Sequence, residues 1–145
     1  MNKELLGVRD YLKQAWEADQ LVKVKMEKLE AMKEGAKKMT PSYAEAHGNS
    51  GVQDSMAESV SSYIDYQNAL FEEVNRHIKL LDEIRTIIYG VPDPRYRVLL
   101  ARRYLDYQSW EIIAYAMNYT WQHVHRLHAE ALYEAKAAMI KLDKK

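Results

Sequence analysis

The sequence predicts an all-α protein: a long helical hairpin or coiled coil, followed by a C-terminal module of three shorter helices. Three observations carry this. Apolar residues recur in steps of three and four along two long stretches. Glycine and proline number only 5 and 3 among 145 residues, too few for a loop-rich or all-β chain. Near the C-terminus, two short apolar-periodic stretches each follow a good helix N-cap, Ser109 and Thr120. A hydrophobic fraction of 48% is enough to build a core.

Residues 2–37 read as the first helix. Leu5, Val8, Leu12, Ala15, Val22, Met26, Leu29 and Ala36 form a heptad seam, interrupted by Asp19 and Lys33. Gly35 weakens the helix, and Thr40-Pro41-Ser42 is expected to end it. A loop of about residues 38–53 follows, containing Gly48, Asn49, Ser50 and Gly51, with His47 lacking any metal-ligand neighbour in sequence. Asp54 or Ser55 is the expected cap of the second helix, which runs to about Tyr89. Its stripe is Val60, Ile64, Gln67, Phe71, Val74, Ile78, Leu81 and Ile88, broadened by Leu70, Ile84 and Ile87. That stripe is wider than one hairpin partner covers, so a homo-oligomer is expected, with a dimer favoured.

Gly90-Val91-Pro92-Asp93-Pro94 is the expected domain boundary, dividing an oligomerisation region at 1–90 from a module at 91–145. Gly90 suits a helix C-terminus, and Asp93-Pro94 suits the start of the next helix. That helix, 94–105, carries Tyr96, Leu99, Leu100, Arg103 and Tyr104 on or near one face. Ser109 then caps a short helix with the apolar set Ile112, Ile113, Ala116 and Met117. After the turn Met117-Asn118-Tyr119, Thr120 caps the last helix, whose apolar set is Val124, Leu127 and Ala131. Two short capped helices joined by about three residues read as a helix-turn-helix.

Cysteine is absent, which removes disulfides, thiolate zinc sites and cysteine nucleophiles, and fits a reducing cytoplasm. The N-terminal stretch has no apolar signal-peptide core, and no apolar run approaches the ~18 residues of a membrane span. The expected location is therefore the cytoplasm, with no membrane partner. Residues 1–90 carry 12 Lys and Arg against 15 Asp and Glu, a net −3, while residues 91–145 carry 9 against 6, a net +3. The basic end coincides with the helix-turn-helix, as a nucleic-acid site would require. No Gly-rich phosphate loop, nucleophile–base pair or paired-carboxylate motif is visible, so no enzyme and no cofactor are expected.

The run from Arg97 to Leu132 resembles region four of bacterial sigma factors. The matching pieces are Arg103-Tyr104, Ser109-Trp110-Glu111-Ile112-Ile113-Ala114, Thr120, Val124-His125-Arg126-Leu127 and Ala131-Leu132. Asn118 stands where that pattern carries glycine, and Trp121-Gln122-His123 stand where it carries charge. The chain as a whole resembles a family of phage and prophage proteins of Gram-positive bacteria, related to phage late-transcription regulators. The segments Gly48–Gln53, Asp93-Pro94-Arg95 and Arg126-Leu127-His128 carry that likeness. The resemblance implies a coiled coil, a sigma-like module and double-stranded DNA as partner, with RNA polymerase as a further candidate.

Helical geometry then sorts the last helix. With Val124, Leu127 and Ala131 inward, Gln122, His125, Arg126 and Ala129 point outward, flanked by Trp121, His123 and Glu130. Arg126 suits guanine O6 and N7, Gln122 suits adenine N6 and N7, and Trp121 suits either a thymine methyl or packing on the preceding helix. His125 completes the expected base-reading set. Arg95, Arg97, Arg102, Thr120, His123 and Lys136 are the expected phosphate contacts. The run His123-x-His125-x-x-His128 makes no metal site, because only His125 and His128 are helical neighbours and no further ligand completes a zinc set. The expected function is a sequence-specific DNA-binding transcription regulator. A DNA-packaging protein of small-terminase type, another phage assembly protein, or a protein-interaction module are the alternatives.

Overall fold

The computed structural model describes the backbone of residues 1–45 and 50–144, and the side chains of 1–35, 37 and 57–144. Five helices account for it: α1 (Lys3–Glu45), α2 (Ser50–Tyr89), α3 (Pro94–Tyr104), α4 (Trp110–Met117) and α5 (Trp121–Asp143). No strand occurs among the described residues. The all-α class and the order of long helices before short ones are as the sequence predicts. The expected loop at 38–53 is shorter than predicted. α1 passes through Pro41 to Glu45, and α2 begins at Ser50 rather than after Asp54. A proline removes one N–H from the helical ladder, and here the ladder continues on both sides of that loss. His47, Gly48 and Asn49 lie outside the described residues.

Contacts divide the chain into two compact units, Met1–Ala18 with His77–Lys145, and Asp19–Arg76. The division does not fall at Gly90–Pro94. In the first unit, Val8, Leu12 and Ala15 of α1 and Ile84, Ile87 and Ile88 of α2 share one core with Leu99, Leu100, Ile113, Val124 and Leu132 of the short helices. The reason is surface area. Helices of 11 and 8 residues cannot close a core by themselves, and the ends of α1 and α2 supply the missing apolar faces. Gly90 is required for tightness at the end of α2, since a Cβ there would stand 3.1 Å from the carbonyl oxygen of Thr86.

In the second unit, α1 and α2 run antiparallel. Lys25 pairs with Glu73, and three residues further on Lys28 lies 5.2 Å over the Tyr66 ring. The buried or half-buried line of α1 here is Val22, Lys25, Leu29 and Met32, so the expected seam residue Met26 is displaced and 55% exposed. The line drifts because an α-helix turns 3.6 residues at a time and not 3.5. The stripe expected on α2 is corrected in the same way. Leu70 is buried at 5% exposure, whereas Val60, Ile64 and Phe71 are exposed.

Two backbone features hold the short helices at their junctions. Tyr107, between α3 and α4, has φ 58, and its hydroxyl donates to the carbonyl of Ala15 at 3.3 Å. Asn118, ending α4, is left-handed at φ 59 and ψ 44. This is where the sigma-like pattern carries glycine, and asparagine tolerates the left-handed region better than most residues but less well than glycine. Asn118→Gly is therefore expected to stabilise the fold by a few tenths to about 1 kcal/mol, while Asn118→Val destabilises it by a similar or larger amount. Thermal unfolding of the two variants beside the parent checks this, and a loss of stability in the glycine variant would contradict it.

Candidate nucleic-acid interface

The site is assembled from the ends of short helices. The Asp93 carboxylate accepts from the backbone N–H of Arg95 at 2.9 Å, and the Ser109 hydroxyl accepts from Ile112 at 3.3 Å. The Thr120 hydroxyl accepts from the N–H of His123 at 3.1 Å. Each satisfies a donor that the helix start leaves open and fixes where the helix begins. Between α4 and α5 the chain turns through Asn118, with the Tyr119 N–H donating to Ala114 at 2.9 Å. The start of α5, and hence the register of its outer face, is set by these contacts.

On α5 the buried line is Val124, Leu127, His128, Ala131, Leu132 and Ala135. The exposed line is Trp121, Gln122, Arg126, Glu130 and Tyr133. Gln122 and Arg126, four residues apart, sit on one exposed face as the sequence predicts. Arg126 donates to His123 Nδ1 at 3.0 Å, which makes that nitrogen the acceptor. His123 also packs its ring 4.4 Å from that of Tyr119. Trp121 is 60% exposed, with its ring 4.0 Å from the His125 ring.

His125 departs from its expected role. Its ring lies between Trp121 and Trp110, 5.0 Å from the latter, and its Nε2 is buried without a hydrogen-bond partner among the described residues. It is a packing residue that supports Trp121, not an open reader of bases. The cause is Trp110: an indole in the first turn of α4 reaches across to α5 and covers one side of the imidazole.

His128, weighed in sequence only as a neighbour of His125, lies in the core: the steps from Val124 to His128, Ala131 and Ala135 are four, three and four, a plain inward line. Its Nε2 is 2.7 Å from the Tyr104 hydroxyl, and Trp110 meets it edge-on at 4.5 Å. Arg103 in turn lies 4.5 Å over Trp110. Burial, reinforced by the cations Arg103, Arg9 and Lys13 and by His125, pushes the His128 imidazole down to about 3. It is a neutral core residue at any physiological pH. Burial likewise raises the Tyr104 phenol.

The expected phosphate contacts separate into two groups. Arg97 donates to the carbonyls of Val91 at 3.0 Å and Pro92 at 2.9 Å, and so clamps the α2–α3 connection. Arg102 donates to Gln108 Oε1 at 3.2 Å, and its Nε is buried. These two are turn anchors and are corrected as such; charge was legible in the sequence but its partner was not. Arg95 and Lys136 are surface ion pairs, with Asp93 at 2.9 Å and Glu4 at 2.7 Å, and both carboxyls are held below their ordinary value by those cations. Pairs of this kind exchange partners at little cost. Thr120 stays exposed at the tip of α5 while capping it.

Two further features were not anticipated. Ile112 and Ala116, expected inward, face outward, with Ile112 54% and Tyr115 90% exposed. Adjacent Ile112 and Ile113 are turned by ~100° and cannot share one core position, and Ile113 takes it. Glu130 accepts from the Tyr96 hydroxyl at 2.9 Å and places one acid on the exposed face of α5 beside Arg126.

Comparison with protein-family models, with curated proteins and with solved structures returns no match. The geometry therefore stands by itself. Among the described residues, no helix is long and apolar enough to cross a membrane.

Proposed function

We propose that this chain is a sequence-specific DNA-binding transcription regulator, phage- or prophage-encoded, and acting as a homodimer in the bacterial cytoplasm. The observation that carries the reading is the exposed pair Gln122 and Arg126, one turn apart near the capped start of α5. Both residue types can make bidentate contacts to purine edges in a major groove. Trp121 stands beside them, braced by His125. Arg95, Lys136, His123 and Thr120 serve as phosphate contacts, the first two by exchanging their carboxylate partners for phosphate. Two copies would place two such helices on half-sites about 34 Å apart or a multiple of that. With few cations available, the salt dependence of binding should be shallow.

A second reading is favoured by the exposed side chains on α4. Tyr115 at 90% and Ile112 at 54% exposure present an aromatic and an aliphatic side chain suited to a protein surface. RNA polymerase is the partner that this reading names, and the two readings are compatible on different faces of one module.

Selection of bound sites from random double-stranded DNA with the full chain tests the first reading. Arg126→Ala is then expected to lose about 5- to 100-fold in affinity for the selected site, the worth of one arginine–guanine pair. Retention on unselected DNA and the unfolding temperature should not change. Equal binding of the selected site by Arg126→Ala would overturn the base-reading assignment, and the failure of any sequence to be enriched would overturn the function.

A further inference from the structure

We infer that the heptad line Val60, Ile64, Gln67, Phe71 and Val74 of α2, exposed at Val60, Ile64 and Phe71 and half-buried at Gln67 and Val74, is the surface on which a second copy of this chain pairs, antiparallel to the first. This deepens the dimer named above by giving its surface, and it holds whether or not α5 binds DNA.

Within the unit Asp19–Arg76, α2 carries two heptad lines, one residue apart. The inner line is Tyr63, Tyr66, Leu70 and Glu73; it meets α1 through buried Leu70 and through the Lys25 and Lys28 contacts. The next residue in each case is Ile64, Gln67, Phe71 or Val74, rotated by ~100°. With Val60 this second line steps by four, three, four and three, the repeat of a coiled-coil seam. It is left largely open: Phe71, Ile64 and Val60 remain 60%, 47% and 39% exposed, while Gln67 and Val74 are half-buried. Met26 joins the same side. Lys25 and Glu73 face each other, and in antiparallel helices the following residues, Met26 and Val74, turn to the same side of the pair.

The seam fits its own copy. A two-fold axis passing midway between Gln67 and Phe71 brings Ile64 to Val74 and Gln67 to Phe71, which pairs four of the five seam residues in one register. Such an isologous contact needs no second patch. Gln67 is the one polar residue of the seam; in this register it faces Phe71 of the other copy and lowers affinity. The flank beyond the seam is Ser61, Asn68 and Asn75, all exposed and uncharged. The same two-fold sets Ser61 near Asn75 and Asn68 near itself, so no like charges meet along this flank. An oppositely charged partner would find no complementary row along that flank; the exposed charges of this side, Lys23, Glu30 and Lys33, lie on α1 around Met26 and are of both signs. The seam spans fifteen residues, about 22 Å of helix. That is short for the ~800 Å² per partner of a standard interface, so the association should be reversible and on the order of micromolar.

The test uses the full chain, which contains no cysteine. Under mild oxidation without DNA, the double variant Ile64→Cys/Val74→Cys is expected to form disulfide-linked dimers, and each single variant is not. Positions 64 and 74 are about 15 Å apart along one helix, so no bond closes within a chain. Sedimentation equilibrium of the unmodified chain should show a monomer–dimer equilibrium. Phe71→Glu should weaken it by at least about 100-fold with helicity unchanged, and Gln67→Leu should tighten it. A monomer at every concentration up to ~100 μM, about a hundred times a micromolar Kd, would overturn the inference. So would self-linkage of the single-cysteine variants, which marks a parallel pair, or a dimer indifferent to Phe71→Glu. Since the arms contain no DNA, their failure leaves the Arg126 experiment untouched.

Discussion

Lowering the pH from 8 to 5 is expected to remove about 2 kcal/mol of folding stability through His128 alone. In the folded chain this imidazole is buried at 3% exposure against Tyr104 and Trp110, and its value is depressed from 6.5 to about 3. Burial is the largest cause, followed by Arg103. The unfolded chain takes up the proton first, near 6.5, whereas the folded chain resists it. Stability is therefore complete above about pH 6.5 and falls as the pH drops between that value and about 3, at a limiting rate of roughly 1.4 kcal/mol per pH unit. The carboxylates held low by cations, Glu4 and Asp93, contribute only below their ordinary range and do not confuse the window from 8 to 5. Urea unfolding at pH 8, 6 and 5 measures the slope. His128→Gln keeps a group able to accept from Tyr104 but cannot titrate, so its stability should be nearly flat over the same interval, whatever its absolute value. Parallel losses in the parent and the variant would show that His128 is not the source.

Leu12→Ala should destabilise the helix-turn-helix itself, by about 2–5 kcal/mol. The expectation is specific because Leu12 is far from that module in sequence and wholly buried in its core, with Leu99, Leu100, Tyr104 and Leu132. Removing three carbons from a packed site forfeits their transfer energy and leaves a void that helices anchored at both ends fill poorly. Leu21→Ala is the control: nine residues further along the same helix, Leu21 is 52% exposed, and its truncation should stay within about 0.5 kcal/mol. Denaturant titration read through tryptophan fluorescence, in a Trp16→Phe background so that only Trp110 and Trp121 emit, reports the module directly. Equal small effects of the two substitutions would mean that the first turns of α1 do not share the core of the short helices.

These two residues also mark how far the sequence could be read. Leu12 was legible as apolar and as part of a seam, but the seam says nothing about which partner closes it. His128 was legible as an inward position by its spacing, but the sequence shows neither the Tyr104 hydroxyl nor the Trp110 ring that bury it. The caps Asp93, Ser109 and Thr120 and the left-handed position of Asn118 were read closely, since a cap depends on only three or four consecutive residues. Arg97, Arg102 and His125 were read as open to a ligand and are engaged in turns and ring packing instead. Their partners lie five to fifteen residues away, across a turn whose path local pattern does not specify.

The sequence by itself determined the all-α class, the five helices in their order, the starts of the three short ones, and the outward placement of Gln122 and Arg126. Each of these follows from periodicity and capping, which are local. Tertiary structure alone decided which of the two heptad lines on α2 is covered, that the core of the short helices is completed by Val8, Leu12, Ile84 and Ile88, and which basic side chains already have partners. A helix of 3.6 residues per turn offers neighbouring stripes separated by only ~100°, and both can be apolar. Only the position of the other helices distinguishes them, and that position is set by the total area buried, a property of the whole chain and not of any window along it.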